Sequence, residues 1–242
     1  MTQLHHNDIE VYVISLTTAI DRQVKVKQAL SHTNLHWQFF DAINKHDLTY
    51  GVSEYKPKKV KRLLGFELTP NELGCFLSHR ACWGKAICSQ KTALIFEDDF
   101  LLMPSFNDAL NFALSKSDDW DVCRLQGLFS STDEVLEGQE QHRLVKTLND
   151  PVCATAYLVS PRGAKILVDN SVEIYEPVDH YLEHVSKHGL RVLAIKPYPV
   201  EITKAQSTIT DRPPRQPIKG MRKHQRSFFR GLDRLISKNP WF

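Results

Sequence analysis

The first strong pattern is an apolar run, Val11-Tyr12-Val13-Ile14-Ser15-Leu16, followed by helical spacing from about Asp21 to Ser31 and a second apolar run from Trp37 to Phe40. Strand, helix, strand at this spacing opens an α/β sheet. Residues 44 to 68 lose the periodicity and carry Gly51, Pro57, Gly65 and the basic patch Lys56-Pro57-Lys58-Lys59-Val60-Lys61-Arg62, which reads as a mobile surface excursion at the active site. Thr69-Pro70-Asn71-Glu72 then supplies an N-cap, a first-turn proline and the acid that closes a capping box. The helix it starts is expected to reach Ser89, with Leu73, Phe76, Leu77, Gly84 and Ile87 toward the core. Ala93 to Glu97 is the next strand, Phe106 to Leu114 a helix, and Asp121 to Leu125 a strand in which the charge of Arg124 implies a sheet edge. Residues 126 to 150 are polar and unpatterned, while Val152 to Val159 returns to strand character. Ser160-Pro161 caps a helix ending near Asp169, Pro177 opens another that stops at Gly189, and Arg191 to Ile195 is a strand closed by Pro197. The alternation, and with it an α/β domain over 1–211, gives way near residue 200 to a tail over 212–242.

The pattern places its acids pointedly. The apolar Ala93-Leu94-Ile95-Phe96 breaks into Glu97-Asp98-Asp99, and ligands of α/β sheets sit beyond the carboxyl ends of strands. Adjacent carboxylates there repel one another unless a cation lies between them, and Mg²⁺ or Mn²⁺ takes such oxygen ligands. A diphosphate is the usual partner of such an ion. A helix start whose dipole favours acids is the alternative reading of the same triplet.

Charge changes the picture of the tail. Of 31 basic and 28 acidic residues, nine basic groups and one acid (Asp233) fall in 212–242, leaving 22 basic and 27 acidic groups, a net −5, in the rest. Phe228, Phe229, Leu232, Leu235 and Ile236 stand among Arg222, Lys223, Arg226, Arg230 and Arg234, the profile of an amphipathic segment that lies on an anionic membrane surface. The acidic body and the absence of a nucleic-acid motif exclude nucleic acid as partner. No apolar run is long enough to span a bilayer, and the N-terminus lacks the form of a signal peptide, so a cytoplasmic protein is expected. Cys75, Cys82, Cys88, Cys123 and Cys153 form no C-x-x-C pair and are expected as reduced, buried thiols.

Three segments together resemble glycosyltransferase family 25, whose members build bacterial lipooligosaccharide or galactosylate collagen. They are Val13-Ile14-Ser15-Leu16 with Asp21-Arg22; Leu68-Thr69-Pro70-Asn71-Glu72-Leu73-Gly74-Cys75-Phe76-Leu77-Ser78-His79 leading to Glu97-Asp98-Asp99; and Ala156-Tyr157-Leu158-Val159-Ser160 with Gly163-Ala164-Lys165 and Pro177-Val178-Asp179. Ser15 stands where the family usually has Asn. The resemblance implies a GT-A-like mixed sheet, a UDP-sugar donor (commonly UDP-galactose), inversion at the anomeric carbon and Mn²⁺ or Mg²⁺ held by Asp99 and Asp98. On the donor side it implies Ser15, Leu16, Arg22, Glu97, Asp98, Glu72 and His79. An inverting transfer needs a base on the acceptor hydroxyl; Asp179 is the first candidate and Glu183, one turn on, the reserve. Asp121 and Asp133 are possible acceptor contacts. His180 and His184 have the spacing of a zinc pair but lack a third ligand and read as solvated helix residues. The acceptor implied is a glycolipid of lipooligosaccharide type, reached at the inner face of a bacterial inner membrane. The rival readings are a glucosyl- or other hexosyltransferase, a catalytically silent binding module of the same fold, and a nucleotidyltransferase, for which no glycine-rich phosphate loop is evident.

Overall fold

A computed structural model describes residues 8–48, 51–129, 132–138, 141–148 and 152–203. Its strands are β1 (Glu10–Ser15), β2 (Trp37–Asp41), β3 (Ala93–Glu97), β4 (Phe100–Leu102), β5 (Val122–Arg124), β6 (Asp133–Gly138), β7 (Arg143–Thr147), β8 (Ala156–Val159), β9 (Val192–Lys196) and β10 (Val200–Ile202). The helices are α1 (Ile20–Leu30), α2 (Pro57–Leu64), α3 (Pro70–Ser89), α4 (Phe106–Ser115), α5 (Pro161–Asn170), α6 (Val178–Glu183) and α7 (Val185–His188). Eight strands form one mixed sheet in the order β2-β1-β3-β8-β5-β9-β7-β6, and β4 pairs with β10 beside it. β1 runs parallel to β2 and β3, and β8 runs against both β3 and β5. This is the GT-A-like α/β class expected from the resemblance.

Alternation along the strands divides the core. Tyr12, Ile14, Ile95, Tyr157 and Val192 face a layer built by α2, α3, α5 and α6. Val11, Val13, Leu94, Phe96 and Leu158 face the layer that holds α1 and α4. Such two-sided cover explains why the central strands read as continuous apolar runs.

Several sequence expectations need correction. The basic stretch before Thr69 is no excursion: Pro57 occupies the first turn of α2, whose Val60, Leu63 and Leu64 are buried while Gly65 closes it in the left-handed conformation (φ 84°). Residues 126 to 150 include a hairpin, β6 and β7, that extends the sheet from β9. β5 is not an edge but lies between β8 and β9. The stripe of α3 that meets the core is centred on Leu73, Phe76, His79, Trp83 and Ala86, with Leu77 and Ile87 partly buried against its flank. The helix after Pro177 breaks at His184 (ψ 57°), so His180 and His184 do not share a continuous helical face. All five cysteines are free, but Cys88 is exposed. The segment 212–242 lies outside the described residues.

Candidate active site

β1 and β3 are parallel, with Ile14 opposite Glu97, so their carboxyl ends open side by side. Ser15 and Leu16 leave β1 there, and the acid triplet leaves β3 through a tight turn into β4. Together with Arg22, Asn44, Asn71 and Cys75 they line a cleft of ≈ 130 Å³ that opens to solvent.

The three acids have three different surroundings. Asp98 is fully engaged: Ser15 Oγ donates to its Oδ2 at 2.7 Å and Arg22 Nη1 to its Oδ1 at 2.9 Å. Glu97 accepts from His79 Nε2 at 3.3 Å, from the Cys75 thiol at 3.4 Å and from Thr155 Oγ1 at 3.2 Å. Burial works to raise the Glu97 carboxyl, but these donors outweigh it and hold the group below the usual carboxylate range. Asp99 has the opposite fate. Its Oδ1 is buried without a hydrogen-bond partner, and burial, then the charges of Glu97 and Asp98, push its carboxyl up to about 7. Two neighbouring carboxyls driven apart in this way mark a site built around charge.

α3 presents the wall of the cleft, and its start is fixed by the capping box: Thr69 Oγ1 accepts from the Glu72 backbone N–H at 3.2 Å, and Glu72 Oε2 accepts from that of Thr69 at 2.9 Å. Glu72 is thus turned into the helix end, and its neighbour Asn71 lines the cleft. One turn on, Ser78 Oγ donates to the Gly74 carbonyl at 2.7 Å and accepts from Ile43 N–H at 2.8 Å. A Cβ on Gly74 would stand 2.4 Å from the Ile43 carbonyl oxygen, so this glycine permits the close approach of the loop that carries Asn44. His79 lies behind the wall, fully buried. Trp83 Nε1 donates to Tyr157 Oη at 2.9 Å, and that hydroxyl meets His79 Nδ1 at 2.8 Å. Trp83, Tyr157, His79 and Glu97 thus form one continuous hydrogen-bonded line from the core to the cleft.

Asp179 sits in the first turn of α6, where its Oδ1 accepts from the His180 N–H at 2.8 Å. Its charge joins those of Glu97 and Asp99 in raising the Cys75 thiol, whose largest cause is burial; the base candidate therefore shares the neighbourhood of the triplet. Glu183 does not. It contacts Arg124 Nη2 at 2.5 Å with side-chain exposures of 6% and 0%, Arg124 Nη1 donates to the Cys153 carbonyl, and Glu183 borders a separate cleft with Val185, Leu190 and Val192. The two proposed acceptor contacts also lie apart from the triplet. Asp121 precedes β5 at the opposite end of the sheet, neutralised by Arg162 and Arg191, and Asp133 on the outer strand lies 3.7 Å from Lys196. His184 Nδ1 pairs with buried Glu176 at 2.9 Å. Sequence reasoning missed Asn44, Asn71, Cys75, Ser78, Thr155 and Tyr157 as builders of the site, although four of them stand inside the segments that carried the resemblance.

The family model for glycosyltransferase family 25 (LPS biosynthesis protein) matches residues 8–182. The chain is similar to procollagen galactosyltransferase 1-A of Xenopus laevis, 27% identical over 84% of this chain and 38% of that protein. It is also similar to lipooligosaccharide biosynthesis protein lic2B of Haemophilus influenzae, 32% identical over 64% of this chain and 53% of the relative, and to a probable inactive glycosyltransferase 25 family member 3 of Bos taurus, 27% identical over 72% and 31%. The chain spans between about three tenths and about half the length of these relatives. A match over most of the sequence, reaching from β1 through the acid triplet to the helix of Asp179, establishes that the chain belongs to glycosyltransferase family 25.

Proposed function

We propose that the protein is an inverting hexosyltransferase that moves galactose from UDP-galactose to a sugar of a lipooligosaccharide-type acceptor. The observation that carries this reading is the buried, unpartnered Oδ1 of Asp99 just past the carboxyl end of β3, beside Asp98 in the wall of the solvent-open cleft. An orphaned oxygen on a carboxyl crowded by two other acids fits a hard divalent cation. Asp99, with Asp98 in support, would hold Mn²⁺ or Mg²⁺, which when bound neutralises charge on the UDP leaving group as a Lewis acid. Arg22, oriented by Asp98, supplies a fixed cation at the wall of the same cleft. Ser15 keeps Asp98 in place from the strand end, and Leu16 and Asn71 line the pocket for the donor.

Asp179 takes the proton of the acceptor hydroxyl as that oxygen attacks the anomeric carbon from the face opposite the leaving group. No covalent sugar intermediate is needed. The names of lic2B and of the procollagen galactosyltransferase support the glycolipid and the galactose respectively. The basic, apolar-striped segment 212–242 is proposed to hold the protein reversibly to the anionic face of the membrane that carries the acceptor.

The test is UDP release across a panel of UDP-sugars, with Mn²⁺ or chelator, in the parent and in Asp99→Asn. Metal-dependent turnover of UDP-galactose, absent in the variant, is the expected result; turnover equal in the variant sinks the assignment of Asp99. A second reading, a silent binding module, is favoured by the inactive relative. It would show as UDP–Mn²⁺ binding without turnover of any donor on any acceptor.

A further inference from the structure

Behind Asp99 three side chains of softer chemistry converge. Cys75 and His79 stand four residues apart on α3, and Glu97 meets them from the end of β3; one ligand atom of each lies within 4.8 Å of the others. The His79 Nε2 to Glu97 Oε1 separation is 3.3 Å and Cys75 Sγ to Glu97 Oε1 is 3.4 Å. Tetrahedral ligands at bond lengths of about 2.0–2.3 Å stand roughly 3.3–3.6 Å apart, so the Glu97 oxygen already stands at that spacing from both the imidazole nitrogen and the thiol sulfur. We propose that Cys75, His79 and Glu97 form a zinc site distinct from the Asp99 position.

Three features beyond spacing support it. The ligands are already oriented from behind: Thr155 Oγ1 fixes the second Glu97 oxygen at 3.2 Å, and Tyr157 Oη lies 2.8 Å from His79 Nδ1, where it can accept the Nδ1–H of a metal-bound imidazole while also accepting from Trp83. Among the described residues, Glu97 has no lysine or arginine partner, so the carboxylate lacks a fixed cation of its own. Cys75 and Glu97 both line the cleft, which leaves the fourth position open to water or a ligand. A thiol, an imidazole and one carboxylate select Zn²⁺ over Mg²⁺ or Mn²⁺, which prefer oxygen alone. On binding, the Cys75 thiol proton passes to solvent as the S–Zn bond forms, and the imidazole binds through Nε2 as the neutral ring, the proton that Nε2 gave to the Glu97 contact being replaced by one on Nδ1; nothing is oxidised or reduced.

The test uses Co²⁺ as the optical probe for zinc, titrated into the full chain in the presence of excess Mg²⁺. The expected result is one equivalent bound with a sulfur-to-cobalt charge-transfer band and the visible bands of four-coordinate cobalt. Cys75→Ser should lose the charge-transfer band at unchanged thermal unfolding, Cys88→Ser should keep it, and Tyr157→Phe should weaken cobalt affinity about 10–100-fold. Asp99→Asn should keep the spectrum, which separates this site from the one proposed for transfer. Absence of the band in the parent, its survival in Cys75→Ser or its loss in Asp99→Asn overturns the proposal. Should Cys75→Ser fail to fold, Zn²⁺ must slow alkylation of Cys75 in the parent at least about tenfold, and unslowed alkylation overturns it equally.

Discussion

Asp99 carries the most exposed consequence at the scale of single residues. In chelator, native Asp99 keeps a proton up to about pH 7, whereas the same group in the unfolded chain loses it near pH 4. The native state therefore binds more protons between these values, and stability falls as pH rises through that window. Asp99→Asn removes the penalty. Melting curves in chelator should place the variant several degrees above the parent at pH 8, on a scale of about 2–4 °C per kcal/mol, with the difference gone near pH 4. An equal gap at both pH values would show that the gain has another origin. Gly74 tests the wall of the cleft: with the Ile43 carbonyl 2.4 Å from where a Cβ would stand, Gly74→Ala should cost about 1–3 kcal/mol in urea unfolding. It should also raise KM for the donor more than it lowers kcat, since the loop bearing Asn44 is displaced.

The elements were unevenly legible in the sequence, and the reasons are physical. The bounds of α3 could be read because its start signal is local: Thr69, Pro70 and Glu72 act within one turn. β3 with its acids was plain for the same reason. α2 was missed although Val60, Leu63 and Leu64 have helical spacing, because Pro57 reads as a breaker unless it is granted the first turn. The outer strand β6 offers no apolar face at all, being exposed along most of its length; only its pairing with β7 makes it a strand. Arg124 implied an edge because its partner, Glu183, lies 59 positions away and no spacing announces it. The same holds for Tyr157 and His79, joined between β8 and α3 across 78 positions of sequence. The pair of Arg124 and Glu183 fastens α6, and with it Asp179, to β5. Glu183→Gln leaves a fully buried guanidinium without its counter-charge and should destabilise by about 3 kcal/mol or more. At temperatures where the variant is folded, the pH profile of kcat should keep the parent's acidic limb, and loss of that limb would instead make Glu183 the base.

At the scale of the whole molecule, function depends on how the cleft meets its acceptor. Deleting residues 212–242 should weaken sedimentation with anionic vesicles severalfold, most at low salt, while donor hydrolysis in solution continues; vesicle binding that survives the deletion would place the contact elsewhere. The Thr203 N–H donates to the Asp99 carbonyl at 2.7 Å, so the chain departs toward its basic segment from the acid turn itself. Eight residues separate Thr203 from Arg212, a contour of at most about 32 Å over the nine steps. With 212–242 seated on a bilayer, that tether confines the mouth of the cleft to a shell of this depth above the lipid. If the segment seats as proposed, the tether would act as a ruler, admitting the inner sugars of a membrane-rooted glycan and keeping the cleft from branches that extend farther.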